Sequence, residues 1–136
     1  MAFLADLRTY LLTQATITDS VGTSGVYEDW AKRDAAYPRI VYSRLATSFT
    51  DDLDGTEPQE RPVVSFDLQS KTRSETDTLE ENLKALLSGY RGTMGSTPVQ
   101  AAIIAGLVNL IDTPSDGSDK AIYRTVIDYT FWLGPI

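Results

Sequence analysis

Residues 99–111 read Val-Gln-Ala-Ala-Ile-Ile-Ala-Gly-Leu-Val-Asn-Leu-Ile, and the way this run folds decides the architecture of the chain. It is apolar on every side, so periodicity separates neither a buried strand nor a buried helix from the other. The alanines favour a helix, whereas Gly106 and the β-branched residues favour a strand. On the residues alone both readings stay open.

The flanks are clearer. Beyond the turn residues "DTPSDGSD" (112–119), Ala121 to Leu133 alternates as a strand. Tyr123, Thr125, Ile127, Tyr129, Phe131 and Leu133 share one face; Ile122, Arg124, Val126, Asp128, Thr130 and Trp132 share the other. On the N-terminal side, "SGYRGTMG" carries Gly89, Gly92 and Gly95 at a spacing of three, with Arg91 between them. Glycine turns with a basic residue can cradle phosphate when they precede a helix, whose free N–H groups then face the anion. This loop follows one, and its Gly-x-x-Gly does not sit on the basic surface that a KH-type clamp requires. It reads as a helix stop, with Gly89 or Gly92 left-handed.

The preceding helix, Ser74 to Ser88, carries Leu79, Leu83, Leu86 and Leu87 on a stripe continued by Tyr90. Ser74 and Asp77 resemble a capping box, and Glu80 and Lys84 form an i,i+4 pair. Upstream, Arg39 to Phe49 and Val63 to Ser70 alternate as two strands of a hairpin, joined by the polar connection Thr50 to Pro62, "TDDLDGTEPQERP". Ala2 to about Thr13 has helical spacing through Phe3, Leu4, Leu7, Tyr10, Leu11 and Leu12. Gln14 to Ser24 reads as a turn or a single helical turn, and Gly25 to Glu28 as a short edge strand.

Composition narrows the function. The 136 residues fit one domain, 1–136, and 42% hydrophobic content supports a modest core. There is no run long enough to span a membrane, and the start does not read as a signal peptide. The chain has no Cys and no His. That removes disulfides, thiolate metal sites and the commonest general base and metal ligand, so no cofactor or metal is expected. The balance of 12 Lys+Arg against 19 Asp+Glu gives a net charge of −7, the opposite of a nucleic-acid-binding footprint.

Two constellations invite chemistry. Aligning Gly55 with the invariant glycine of an EF-hand loop places Asp52 and Asp54 as ligands, but Thr50 and Arg61 then fall where the first ligand and the bidentate acid belong. A solvated acidic loop fits better. Asp67 and Asp128 could form an acid–base pair for a small substrate; cross-strand pairing with Arg44 or Arg124 is the plainer reading. Neither Gly-x-Ser-x-Gly nor a Walker A pattern occurs.

The landmarks in order are an N-terminal amphipathic helix, "YPRIVYSRL", "VVSFDLQS", "SETDTLEENLKALLSGYRGTMG" and "AIYRTVIDYTFWL". This series resembles the tail-completion, or tail-terminator, proteins of long-tailed bacteriophages over nearly the whole chain. Pro38 to Tyr42, the Leu87 to Gly95 helix end and the Tyr123 to Trp132 strand carry the likeness. The resemblance implies an α+β fold, an antiparallel sheet of about four to five strands with two main helices on one face, and a strand over Val99 to Asp112. It implies a structural virion protein rather than an enzyme. Such a protein forms a homo-oligomeric ring, commonly hexameric, that stops tail-tube polymerisation and joins the tube to the head connector, with DNA passing through. Another neck protein, a head-closure or connector component, is the alternative; a carboxylate-dependent enzyme is a weaker one. In a conduit the negative charge would keep DNA from adhering. The acidic connection would project to a neighbouring subunit, the tube or the connector, so Asp51, Asp52, Asp54, Glu57 and Arg61 are candidate contacts. Arg91, Arg124 and Trp132, enriched types at interfaces, complete the candidate set.

Overall fold

A computed structural model describes residues 2–32, 35–50, 59–113 and 121–134. The elements in chain order are α1 (Ala2–Leu12), α2 (Ala15–Val21), β1 (Val26–Glu28), β2 (Arg39–Thr50), β3 (Gln59–Ser70), α3 (Arg73–Leu87), β4 (Gly92–Met94), β5 (Thr97–Asp112) and β6 (Ile122–Leu133). The strands form one sheet in the order β1-β2-β3-β6-β5-β4. All pairings are antiparallel except β1 with β2, which is parallel.

Residues 97–112 are therefore a strand, as the resemblance implied. The described residues hold six strands and three helices, against the four to five and two expected. The additional helix is α2. Polar Thr16, Thr18, Asp19 and Ser20 hide it in the sequence, yet Ile17 is fully buried and Asn82 Nδ2 on α3 donates to Thr16 O at 3.2 Å. Tertiary contact stabilises a seven-residue helix that propensity alone would not.

Alternation builds the core. Val64, Phe66 and Leu68 of β3 and Ile127, Tyr129 and Phe131 of β6 are fully buried on the face that the helices cover. Phe3, Leu4, Leu7 and Leu11 of α1, at helical spacing, pack on it from one side; Leu79, Leu83 and Leu87 of α3 pack from the other. Phe66 lies edge-on to both Tyr129 and Phe131, with centroids 6.1 and 6.5 Å away, a favoured aromatic geometry. The hydroxyls in this core find partners: Tyr42 donates to Leu4 O at 3.4 Å, and Tyr129 pairs with Ser88 Oγ at 2.8 Å. Burial, aided by the nearby Glu28 charge, pushes the Tyr42 phenol up to about 12.

Two boundaries differ from the sequence reading. The cap of α3 is Thr72, not Ser74: its Oγ1 accepts from the Glu75 N–H at 3.2 Å. Thr72-Arg73-Ser74-Glu75 is a capping box starting two residues earlier, with Ser70 Oγ linking the Thr72 N–H to the Glu75 carboxylate. The hairpin is also longer than expected. β2 and β3 stay paired to Thr50↔Gln59, so Arg61 and Pro62 belong to a strand. Pro62 is tolerated because the pairing of β3 with β6 begins only at Val63↔Thr130, leaving its missing N–H unneeded on that side.

Candidate assembly surface

Next to each edge of the sheet a long strand, β5 or β2, is covered by a short edge strand over only part of its length. β4 pairs with β5 only at Thr97, Pro98 and Val99. One further bond, from the Gly89 N–H to Ala102 O at 3.1 Å, closes the upper part. From Ile103 to Asp112, β5 has no strand on its outer side among the described residues; Arg73 Nη2 donates to Leu110 O at 3.2 Å. On this half-edge Ile103, Ile104, Leu107, Val108, Leu110 and Ile111 are all exposed, Val108 at 55% and Ile111 at 56%. Ile104, Leu107 and Ile111 pair across from Tyr129, Ile127 and Tyr123 on the helix-bearing face yet stay exposed, while Ile103, Val108 and Leu110 lie on the opposite face. The sequence therefore identified the apolar run, but its expected burial holds only for the Val99 and Ala102 end. No charged residue occurs between Thr97 and Ile111, so the edge lacks the lysines and inward charges that normally prevent strand addition.

The opposite side mirrors this. β1 covers only Ile40, Val41 and Tyr42 of β2, leaving Ser43 to Thr50 without an outer strand among the described residues. A bulge between Arg44 and Ala46 inserts Leu45 and resets the alternation, and Leu45 and Phe49 are about 60% exposed.

The candidate contact residues fall in different places. Asp51, Asp52, Asp54 and Glu57 lie outside the described residues. Arg61 and Trp132 come together on the face away from the helices, the guanidinium 4.4 Å from the indole ring centre. Arg124, on the same face, is engaged within the chain. Its Nη2 meets Asp67 Oδ2 at 2.6 Å, and its Nη1 meets Asp112 Oδ2 at 3.2 Å. The Asp67 bond first, then the two carboxylate charges, hold its guanidinium above its ordinary value. Cross-strand pairing is thus what Asp67 does. Asp128 sits opposite Ser65 and Gly106, one of its carboxyl oxygens buried without a hydrogen bond, and Arg124 leaves Asp67 committed elsewhere. Two surface hollows lie along α3, lined by Ser74, Asp77, Thr78, Glu81 and Asn82, and between α2 and α3; neither of these two is lined by Asp67 or Asp128. Arg91 is exposed just before β4.

The glycine loop ends α3 and turns the chain into the sheet. Gly89 (φ +76°) follows the last turn of α3 and spends its N–H on β5, and Gly95 (φ +56°) turns β4 into β5 against the carboxylate of Asp6. Among the described residues, no cluster of three or more potential metal ligands occurs, and no helix is long and apolar enough to cross a membrane.

No family model and no curated protein matches the chain. Solved structures share its fold. A chain from the virion of a native gene transfer agent particle superposes with a TM-score of 0.63 at 11% identity, covering 95% of this chain and 94% of that one. A second solved chain superposes with a TM-score of 0.56 at 15% identity, covering 99% and 92%.

Proposed function

We propose that this chain is a structural, non-catalytic subunit of a phage-like virion, forming a ring at the head-proximal end of the tail. The ring ends tube polymerisation and offers a complementary face to the head connector, with DNA passing through its centre. The observation that carries this reading is the exposed apolar half-edge of β5, on which no strand lies among the described residues, in a fold shared end to end with a virion chain. An edge of that kind needs a partner. The −7 charge suits a conduit that does not hold phosphates, and the pairing of Asp67 with Arg124 argues against a carboxylate dyad. Subunits assembling in the host cytoplasm into a homo-oligomer, commonly a hexamer in the family resembled, would meet the tail-tube protein on one side and the connector on the other.

Electron micrographs of particles assembled without this chain test the proposal. Overlong tubes beside unjoined, filled heads are expected. Tails of normal length beside emptied heads would assign the chain to head closure instead. Particles of normal length and joining would overturn the virion role at this junction.

A further inference from the structure

We propose that copies of this chain join head to tail by pairing strands: the bare half of β5 in one copy adds antiparallel to the bare half of β2 in the next, merging their sheets. The inference deepens the ring reading and rests on it. Among the described residues each copy carries two incomplete edges, one on each side of its sheet, and each edge can be completed by the other. The directions agree. Three successive antiparallel pairings separate β2 from β5, so the two strands run in opposite senses. A neighbour set beside the first with its helices on the same side therefore presents β2 antiparallel to β5. The chemistry agrees too. The sole charge between Ser43 and Thr50 is Arg44, and the sole charge between Ile103 and Asp112 is Asp112. Antiparallel overlap brings the Arg44 end of one half-edge to the Asp112 end of the other, and Phe49 to the end bearing Ile103 and Ile104.

The geometry favours closure. The two bare halves are not level: Ile103 to Ile111 lies across from Val63 to Ser70 of β3, whereas Ser43 to Thr50 lies across from Ser65 to Gln59. Full overlap needs a slip of about five residues, roughly 17 Å at ~3.3 Å per residue, over a repeat of four strands (β2, β3, β6 and β5) that is roughly 19 Å wide at ~4.8 Å per strand. That ratio tilts the strands by about 40°, within the ~35–45° at which strands close into barrels. A head-to-tail contact of this sort makes a ring when its rotation closes.

The absence of cysteine from the chain makes the test direct. Full-length variants would carry one cysteine on the far face of β2 (Ser48→Cys or Ala46→Cys), one on the far face of β5 (Val108→Cys or Leu110→Cys), or one on each. They would be oxidised at concentrations where native mass spectrometry reads the oligomer. The proposal expects a ladder of covalent multiples in β2–β5 double variants, and loss of the oligomer in Val108→Lys. Covalent dimers from the single β5 variants would show two-fold β5–β5 pairing and overturn it. Rings without β2–β5 cross-links would also overturn it while leaving the ring reading intact. A chain that stays monomeric at every concentration would remove both.

Discussion

Asp6, on the first helix, accepts a hydrogen bond from Thr97 Oγ1 at 2.6 Å and a second from Ser96 Oγ at 3.2 Å. This contact ties α1 to the turn from which β5 starts, across 91 positions of sequence. The Thr97 hydroxyl above all holds the Asp6 carboxyl below its ordinary value, against a smaller opposing effect of burial. A lowered carboxyl contributes stability that is complete above its unfolded pKa of about 3.9 and is lost as pH falls through the folded value. Asp6→Asn is therefore expected to melt below the native chain near neutral pH, with the gap narrowing in acid below about pH 4. Calorimetry at a series of pH values checks this; a gap independent of pH would contradict it.

Gly95 faces the same carboxylate. A Cβ there would stand 2.5 Å from Asp6 Oδ1, and φ is +56°. Gly95→Ala is expected to cost on the order of 1–2 kcal/mol, from the left-handed backbone and the displaced carboxylate together. Gly106 has nothing within 4 Å and no left-handed φ. Gly106→Ala should be neutral or gain up to about 1 kcal/mol by stiffening the unfolded chain. Urea unfolding of the two variants gives both values.

The start of α3 separates two candidate caps. Thr72→Ala should cost about 1 kcal/mol by stranding the Glu75 N–H, whereas Ser74→Ala should change stability by no more than a few tenths. Equal losses in chemical denaturation would place the cap where the sequence first suggested.

Arg124 serves two carboxylates on neighbouring strands, its side chain 26% exposed and that of Asp67 19%. Arg124→Met should destabilise by about 1–3 kcal/mol, since Asp67 would keep its charge without its donors. Arg124→Lys should recover only part, because one ammonium cannot reproduce the forked bonds. A double-mutant cycle with Asp67→Asn isolates the pair; additive losses would show that packing, not pairing, is what Arg124 contributes.

How much could be read beforehand follows from what each segment packs against. β6 and α3 each have one covered face, so Ile127, Tyr129 and Phe131, or Leu79, Leu83 and Leu87, repeat at the period of their own element. Those segments were legible almost to the residue. α2 was not, because Ile17 is its one fully buried side chain and a single point has no period. The upper hairpin was missed for a different reason: Gln59, Glu60 and Arg61 are held by backbone pairing, which polar side chains do not advertise. β5 was legible as apolar but not as exposed. Apolarity on all sides records contact on all sides, and sequence does not say whether that contact lies within the chain or beyond it. Of the candidate contacts, Arg124 is paired within the chain, Arg61 and Trp132 share one face, and the signal that went unused was the lack of any charge between Thr97 and Ile111.

An edge without a guarding charge is hazardous in proportion to the time it stays bare. Among the described residues, no strand lies on the ten positions from Ile103 to Asp112, and Arg73 alone reaches in, to Leu110 O, until something docks there. A surplus of copies would find one another in unplanned ways. Supply must then keep step with demand: the gene should be translated at a rate matched to the appearance of its docking partner, and purification in isolation should succeed best when dilute, cold and brief.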